Sequence, residues 1–116
     1  MGADKAYATF LYVNGERAEE YRIRFNKVAA RSFKNVSQVK IFKTDKYVIL
    51  VPSDDGLGLK VCKCENGTGI SLTRLVKQDG FMAKEWFDGT HYAVKRGKPS
   101  GGRIYICLEK AVDIND

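Results

Sequence analysis

The sequence predicts an α+β domain, mostly β, in which two ββαββ units pack as one compact, pseudo-twofold, β-barrel-like body. Three observations lead to that class. Period-two alternation is strong, and clearest over residues 20–25, where Tyr21, Ile23 and Phe25 alternate with Arg22 and Arg24. Helical signals are short and sit directly behind strands. Finally, Ile23-Arg24-Phe25-Asn26-Lys27-Val28 is answered by Ile70-Ser71-Leu72-Thr73-Arg74-Leu75, an offset of 70 − 23 = 47, and an Asn-Gly pair lies upstream of each.

The first unit spans about residues 6–52. Residues 6–13 are aromatic and aliphatic and end at Asn14-Gly15, the dipeptide suited to a tight hairpin because both positions tolerate positive φ. After the alternating strand 20–25, Asn26 can cap a helix on which Ala29, Phe33 and Val36 recur at i, i+4, i+7. Its other side carries Lys27, Arg31 and Lys34 in one basic row. Strands 38–43 and 47–51 follow, joined by Thr44-Asp45-Lys46, and Pro52 is expected to stop the second.

The second unit spans about residues 57–108 in the same order. Strand 57–64 runs to Asn66-Gly67, strand 69–72 leads to Thr73 as an N-cap, and helix 74–79 closes at Gly80, suited to a left-handed C′ position. Strands 91–96 and 103–108 flank the glycine-rich loop 97–102. The insert 82–89, with Trp86 and Phe87, has no counterpart in the first unit and is expected to pack a corner of the core.

The formal net charge is +6 and the pI about 9.3, a balance that favours polyanionic partners. Within residues 22–46 the bias is concentrated: Arg22, Arg24, Lys27, Arg31, Lys34, Lys40, Lys43 and Lys46 stand against Asp45 alone. That segment is the candidate anion-binding surface. Three cysteines are an odd number for a disulfide framework, and no stretch approaches the roughly 18 apolar residues of a membrane helix. A single-domain protein, 1–116, in the cytoplasm is expected.

Strand, turn, YRIRF, the capped NKVAARSF, then QVKIF and KYVILVP together resemble the AbrB/MazE/SpoVT-type swapped-hairpin domain, a family mostly of bacterial transition-state regulators and antitoxins. The resemblance covers about 45 residues of the first half and more loosely the second. It implies a small cradle-loop barrel, made either by a homodimer or by an internal pseudo-dimer of two units in one chain. It also implies DNA contacts from basic side chains of the first strands and the loop before the helix, here Arg22, Arg24 and Lys27. The family commonly has proline straight after the second strand, where this chain has Phe25-Asn26 and Leu72-Thr73.

Enzymatic motifs are missing from the sequence. There is one histidine, His91, and no nucleophile elbow, Walker loop or zincin motif, so neither catalytic residues nor a cofactor is expected. Cys62, Cys64, Cys107 and His91 could compose a zinc set only with an unconvincing C-x-C spacing, and buried structural thiols are expected instead. The function expected is that of a small basic binder of double-stranded DNA, a regulator or antitoxin-like factor, using Arg22, Arg24, Lys27, Arg31, Lys34, Lys40, Lys43 and Arg74. The alternative is a protein-binding module or small inhibitor whose hot spot would be an exposed set of Tyr7, Phe10, Tyr12, Trp86 and Phe87. RNA is a third partner class, since a sheet carrying Tyr and Phe beside Arg can stack bases.

Overall fold

The computed structural model describes residues 5–64, 67–96 and 102–112. The alternating segments become β1 (Tyr7–Asn14), β2 (Glu19–Phe25), β3 (Gln38–Lys43), β4 (Tyr47–Ser53), β5 (Leu59–Lys60), β6 (Cys62–Cys64), β7 (Gly67–Ser71), β8 (His91–Arg96) and β9 (Ile104–Ala111). Two helices, α1 (Lys27–Ala30) and α2 (Thr73–Asp79), follow β2 and β7. All nine strands join one sheet in the order β5-β3-β4-β9-β8-β1-β2-β7-β6, and every neighbouring pair is antiparallel.

β5 and β6 lie at opposite edges of that order, yet only Val61 separates them in sequence. One stretch of chain therefore pairs with β3 through Leu59 and Lys60 and with β7 through Cys62–Cys64. The Val61 N–H donates to the Ser37 carbonyl at 2.9 Å across the join. The sheet curls into a nearly closed barrel, which removes most of the unpaired edge that an open nine-stranded sheet would expose.

Alternation decides what fills the barrel. Phe10, Ile23, Phe25, Val48, Leu50, Ile70, Ile104 and Ile106 are fully buried. Phe33 joins them from a 3-10 turn after α1 and packs with its ring tilted 54° at 4.6 Å from that of Phe25. The 82–89 insert packs as the sequence suggests: Met82 and Phe87 are buried, Phe87 sets its edge against Phe10 and Tyr21 at 5.5 and 5.1 Å, and Trp86 lies 5.8 Å from Tyr92. Phe10 and Phe87 are thus core residues, which withdraws them from the exposed aromatic set.

Several local expectations change in the fold. Asn14 pairs with Glu19, so the first hairpin closes with the four residues 15–18, Gly15 N–H donating to the Ala18 carbonyl at 3.1 Å; neither Asn14 nor Gly15 has a positive φ. Pro52 does not end β4 but pairs with Val39. Beyond Leu50, opposite Ile104, β4 has a partner on the β3 side only, and proline's missing N–H is tolerated there. The long strand 57–64 is broken at Val61 by the switch of partners. Thr73 is not a cap: it lies inside α2, and its hydroxyl accepts from the Tyr21 N–H at 3.1 Å. Asn66 and the loop residues 97–101 fall outside the described residues.

Asn26 does cap α1, accepting from the Ala29 N–H at 3.0 Å, and the same oxygen accepts from the Tyr7 N–H of β1 at 3.1 Å. The helix is only one turn long, so its start depends on that side chain. Asn26→Ala is expected to cost about 1–2 kcal/mol in denaturant unfolding, because two backbone donors lose their acceptor at once. An unchanged midpoint would show that solvent replaces the oxygen at no cost.

Candidate nucleic-acid interface

The outward side of β2 carries Arg22 and Arg24, both exposed, while Tyr21, Ile23 and Phe25 are buried beneath them. Register places their neighbours. Arg24 stands between Thr9 of β1 and Gly69 of β7, and Arg22 between Leu11 and Ser71. Residues directly opposite across a ladder share a face, so small or uncharged side chains flank both guanidinium groups. Two shallow depressions border this ridge. One, of about 280 Å³, is lined by Tyr7, Thr9, Leu11, Arg24, Asn26 and His91 among others. The second, of about 160 Å³, lies on the β7 side with Arg22, Arg24, Cys62 and Gly69 in its wall.

The helices bring further cations to the ends of this strand pair. β2 and β7 are antiparallel, so α1 begins at the Phe25 end of the pair and α2 at the Ser71 end, next to Arg22. Leu72 N–H donates to the Tyr21 carbonyl at 2.7 Å and fixes that second junction. Lys27, Arg31 and Lys34 are therefore exposed beyond Arg24, and Arg74 is exposed beyond Arg22. Among the described residues none of these six cations makes an ion pair. They remain available to an external anion.

Lys40 and Lys43 lie elsewhere. Both are on β3, separated from β2 in the sheet by β7 and by the Leu59–Cys64 stretch. Lys43 is exposed at the strand end, whereas Lys40 is already paired, its Nζ 2.6 Å from an Asp55 oxygen. The excess of eight cations over one anion within residues 22–46 overlooks this partner because Asp55 is remote in sequence. Asp55 also accepts from the Ser53 hydroxyl and the Leu57 N–H, both at 2.9 Å. The Lys40 ammonium, then these two donors, hold its carboxyl down from the ordinary 3.8 to about 2.

A folded pKa below the unfolded one stabilises the protein above about pH 4, and that contribution fades as pH falls toward 2. Thermal unfolding from pH 6 down to pH 2 is expected to show Asp55→Asn slightly less stable at pH 6, with the gap closing toward pH 2. The site is solvent-exposed, so the difference is small. A gap that persists undiminished at pH 2 would rule out this origin.

His91 was legible in the sequence only as a lone strand histidine. The β1–β8 register sets it opposite Thr9, whose hydroxyl lies 2.5 Å from the His91 Nδ1, and its ring is 4.8 Å from that of Tyr7. Tyr7, Thr9 and Leu11 reach the arginine ridge through the β1–β2 hairpin, whereas His91 joins it only through β1–β8 pairing between strands some 80 residues apart in sequence, which no local pattern encodes. Of the thiols, Cys62 is exposed and Cys107 buried. No helix among the described residues is long and apolar enough to cross a membrane.

Fold and surface define a mostly-β, barrel-like protein with a basic outer face centred on β2. No family model matches the chain, and no curated protein or solved structure is significantly similar to it.

Proposed function

We propose that the chain is a small DNA-binding protein, a transcriptional regulator or antitoxin-like factor, that grips duplex DNA with the outer face of β1 and β2. The observation that carries this proposal is the exposed, unneutralised pair Arg22 and Arg24 on one strand face, with Lys27, Arg31 and Lys34 beyond one end and Arg74 beyond the other. On an exposed strand face turned to the major groove, arginine can donate to guanine edges and an apolar residue such as Leu11 can meet a thymine methyl group. The helix and turn cations suit phosphates, which supply affinity and register.

The proposal includes the finer architecture, two ββαββ units over about 6–52 and 57–108 arranged as an internal pseudo-dimer of the swapped-hairpin type. Two features support it. Exchanging β1 with the β5–β6 stretch, β2 with β7, β3 with β8 and β4 with β9 leaves the strand order around the barrel unchanged. In addition Ile23 pairs with Ile70, the residue related to it by the same offset of 47 that links the two sequence motifs, as expected of a pair on a pseudo-twofold axis.

Fluorescence anisotropy with a labelled duplex, across about 50 to 200 mM salt, tests the assignment. Steep weakening with salt is expected. Arg22→Ala with Arg24→Ala should reduce affinity at least roughly ten- to a hundredfold and relax the preference between duplex sequences, the loss expected for two arginine–base contacts. Both side chains point away from the core, so the variant should unfold at the wild-type temperature. Duplex binding that survives the double substitution would place the interface elsewhere.

A further inference from the structure

A second face carries its own signal. β4 is apolar on both sides: Val48 and Leu50 are buried in the barrel, while Tyr47, Ile49 and Val51 point outward and are only half covered. A strand that borders solvent on its outer side ordinarily alternates with polar residues, and one covered on both sides does not. Register extends the outward strip sideways. Phe42 of β3 is opposite Ile49, Ile49 is opposite Tyr105 of β9, and Tyr105 is opposite Lys95 of β8. Phe42 is 52% exposed, and the Tyr47 and Tyr105 rings meet edge-on at 5.7 Å.

This strip is not part of the arginine face. Counting Leu59–Cys64 as one strand, β4 lies four strands from β2 in either direction, through β9, β8 and β1 or through β3, that stretch and β7. The two faces are on opposite sides of the barrel.

We infer that the Phe42, Tyr47 and Tyr105 face is a stacking platform for single-stranded nucleic acid. Charge decides the occupant. Cations surround the rings: Lys95 adjoins Tyr105, Lys43 follows Phe42 at the end of β3, Lys46 precedes Tyr47, and Arg103 precedes β9, all four exposed. Of the acids along this rim, Asp55 is already engaged by Lys40, while Asp45 in the β3–β4 turn and Glu109 of β9 lie toward its Tyr47 end. A second copy of the chain would set these cations against their own kind. A polyanion with unpaired bases satisfies both features at once, because bases stack on aromatic rings regardless of sequence while lysine and arginine neutralise the backbone. Ribose or deoxyribose strands share that chemistry.

The test uses fluorescein-labelled oligo(dT) and oligo(U) of about 12 nucleotides beside a duplex of the same length, with the full chain. Phe42→Ala with Tyr105→Leu removes two rings while keeping apolar cover at the half-buried position. This variant is expected to bind both single strands roughly ten- to a hundredfold more weakly and the duplex as tightly as wild type. Lys95→Glu, an exposed change, should weaken single-strand binding alone and keeps the test open if the double variant does not fold. A comparison of the two oligomers tells RNA from DNA. Single-strand affinity that is unchanged in both variants overturns the inference. So does a wild-type dimer, seen by light scattering, that Phe42→Ala with Tyr105→Leu converts to monomer with no effect on single strands. If instead Arg22→Ala with Arg24→Ala leaves duplex binding intact while the Phe42 variant loses single strands, the duplex assignment fails and this one stands.

Discussion

Gly67→Ala is expected to destabilise the protein by about 3–5 kcal/mol, the largest backbone effect among the described residues. Gly67 begins β7 with φ 146°, a region that residues bearing a Cβ rarely enter. Space compounds the strain, since a Cβ there would overlap the backbone carbonyl oxygen of Phe25. That carbonyl belongs to the rung where Phe25 pairs with Thr68, so relief requires opening the β2–β7 ladder, or moving Asn26 and the start of α1 behind it. Gly80→Ala is the control. It too has a positive φ, 59°, but nothing lies within 4 Å of the added atom, and only about 1–2 kcal/mol should be lost. Chemical denaturation of both variants reads the difference, and equal losses would mean that the close approach to Phe25 carries no weight.

Phe10→Ala should cost about 3–5 kcal/mol and lower the melting temperature by roughly 10–20 °C. Phe10 is fully buried and is the point at which the 82–89 insert meets the barrel, with Phe87 at 5.5 Å and Tyr92 at 5.6 Å, both near edge-on. The Gly89 N–H also donates to the Phe10 carbonyl at 2.9 Å, so the backbone is held where the ring leaves a void and the cavity cannot collapse easily. Against a total stability of about 5–15 kcal/mol, the loss is a large fraction of the whole. Phe10→Leu, which refills much of the volume, should recover most of it. A Phe10→Ala variant melting within a few degrees of wild type would show that the insert repacks over the hole.

Both residues illustrate a division between what local patterns encode and what pairing decides. On β2 the direction of every side chain was legible, because period-two alternation is a property of the strand itself: Arg22 and Arg24 outward, Ile23 and Phe25 inward. The cap at Asn26 and the left-handed stop at Gly80 were legible for the same reason, each depending on a few neighbouring residues. Phe10 was misjudged because its strand is apolar at nearly every position, and alternation carries little information where both parities look alike. The extra turn residues after Asn14 escaped notice because hairpin length depends on the register with Glu19 and not on the Asn-Gly pair alone.

By itself, the sequence determined that this chain is mostly β, basic along residues 22–46, and built of strands whose inner faces were assignable wherever polar and apolar residues alternate. Only the tertiary structure decided that one stretch of chain pairs with both β3 and β7 through a break at Val61, that Gly67 must lack a side chain, that Lys40 is spent on Asp55, and that His91 stands beside Thr9 at the arginine ridge. The physical reason is range. Alternation, capping and turn chemistry act over a few residues, whereas barrel closure, ion pairing and the composition of a surface depend on contacts between segments far apart in the chain, and those exist only once the sheet has curled round on itself.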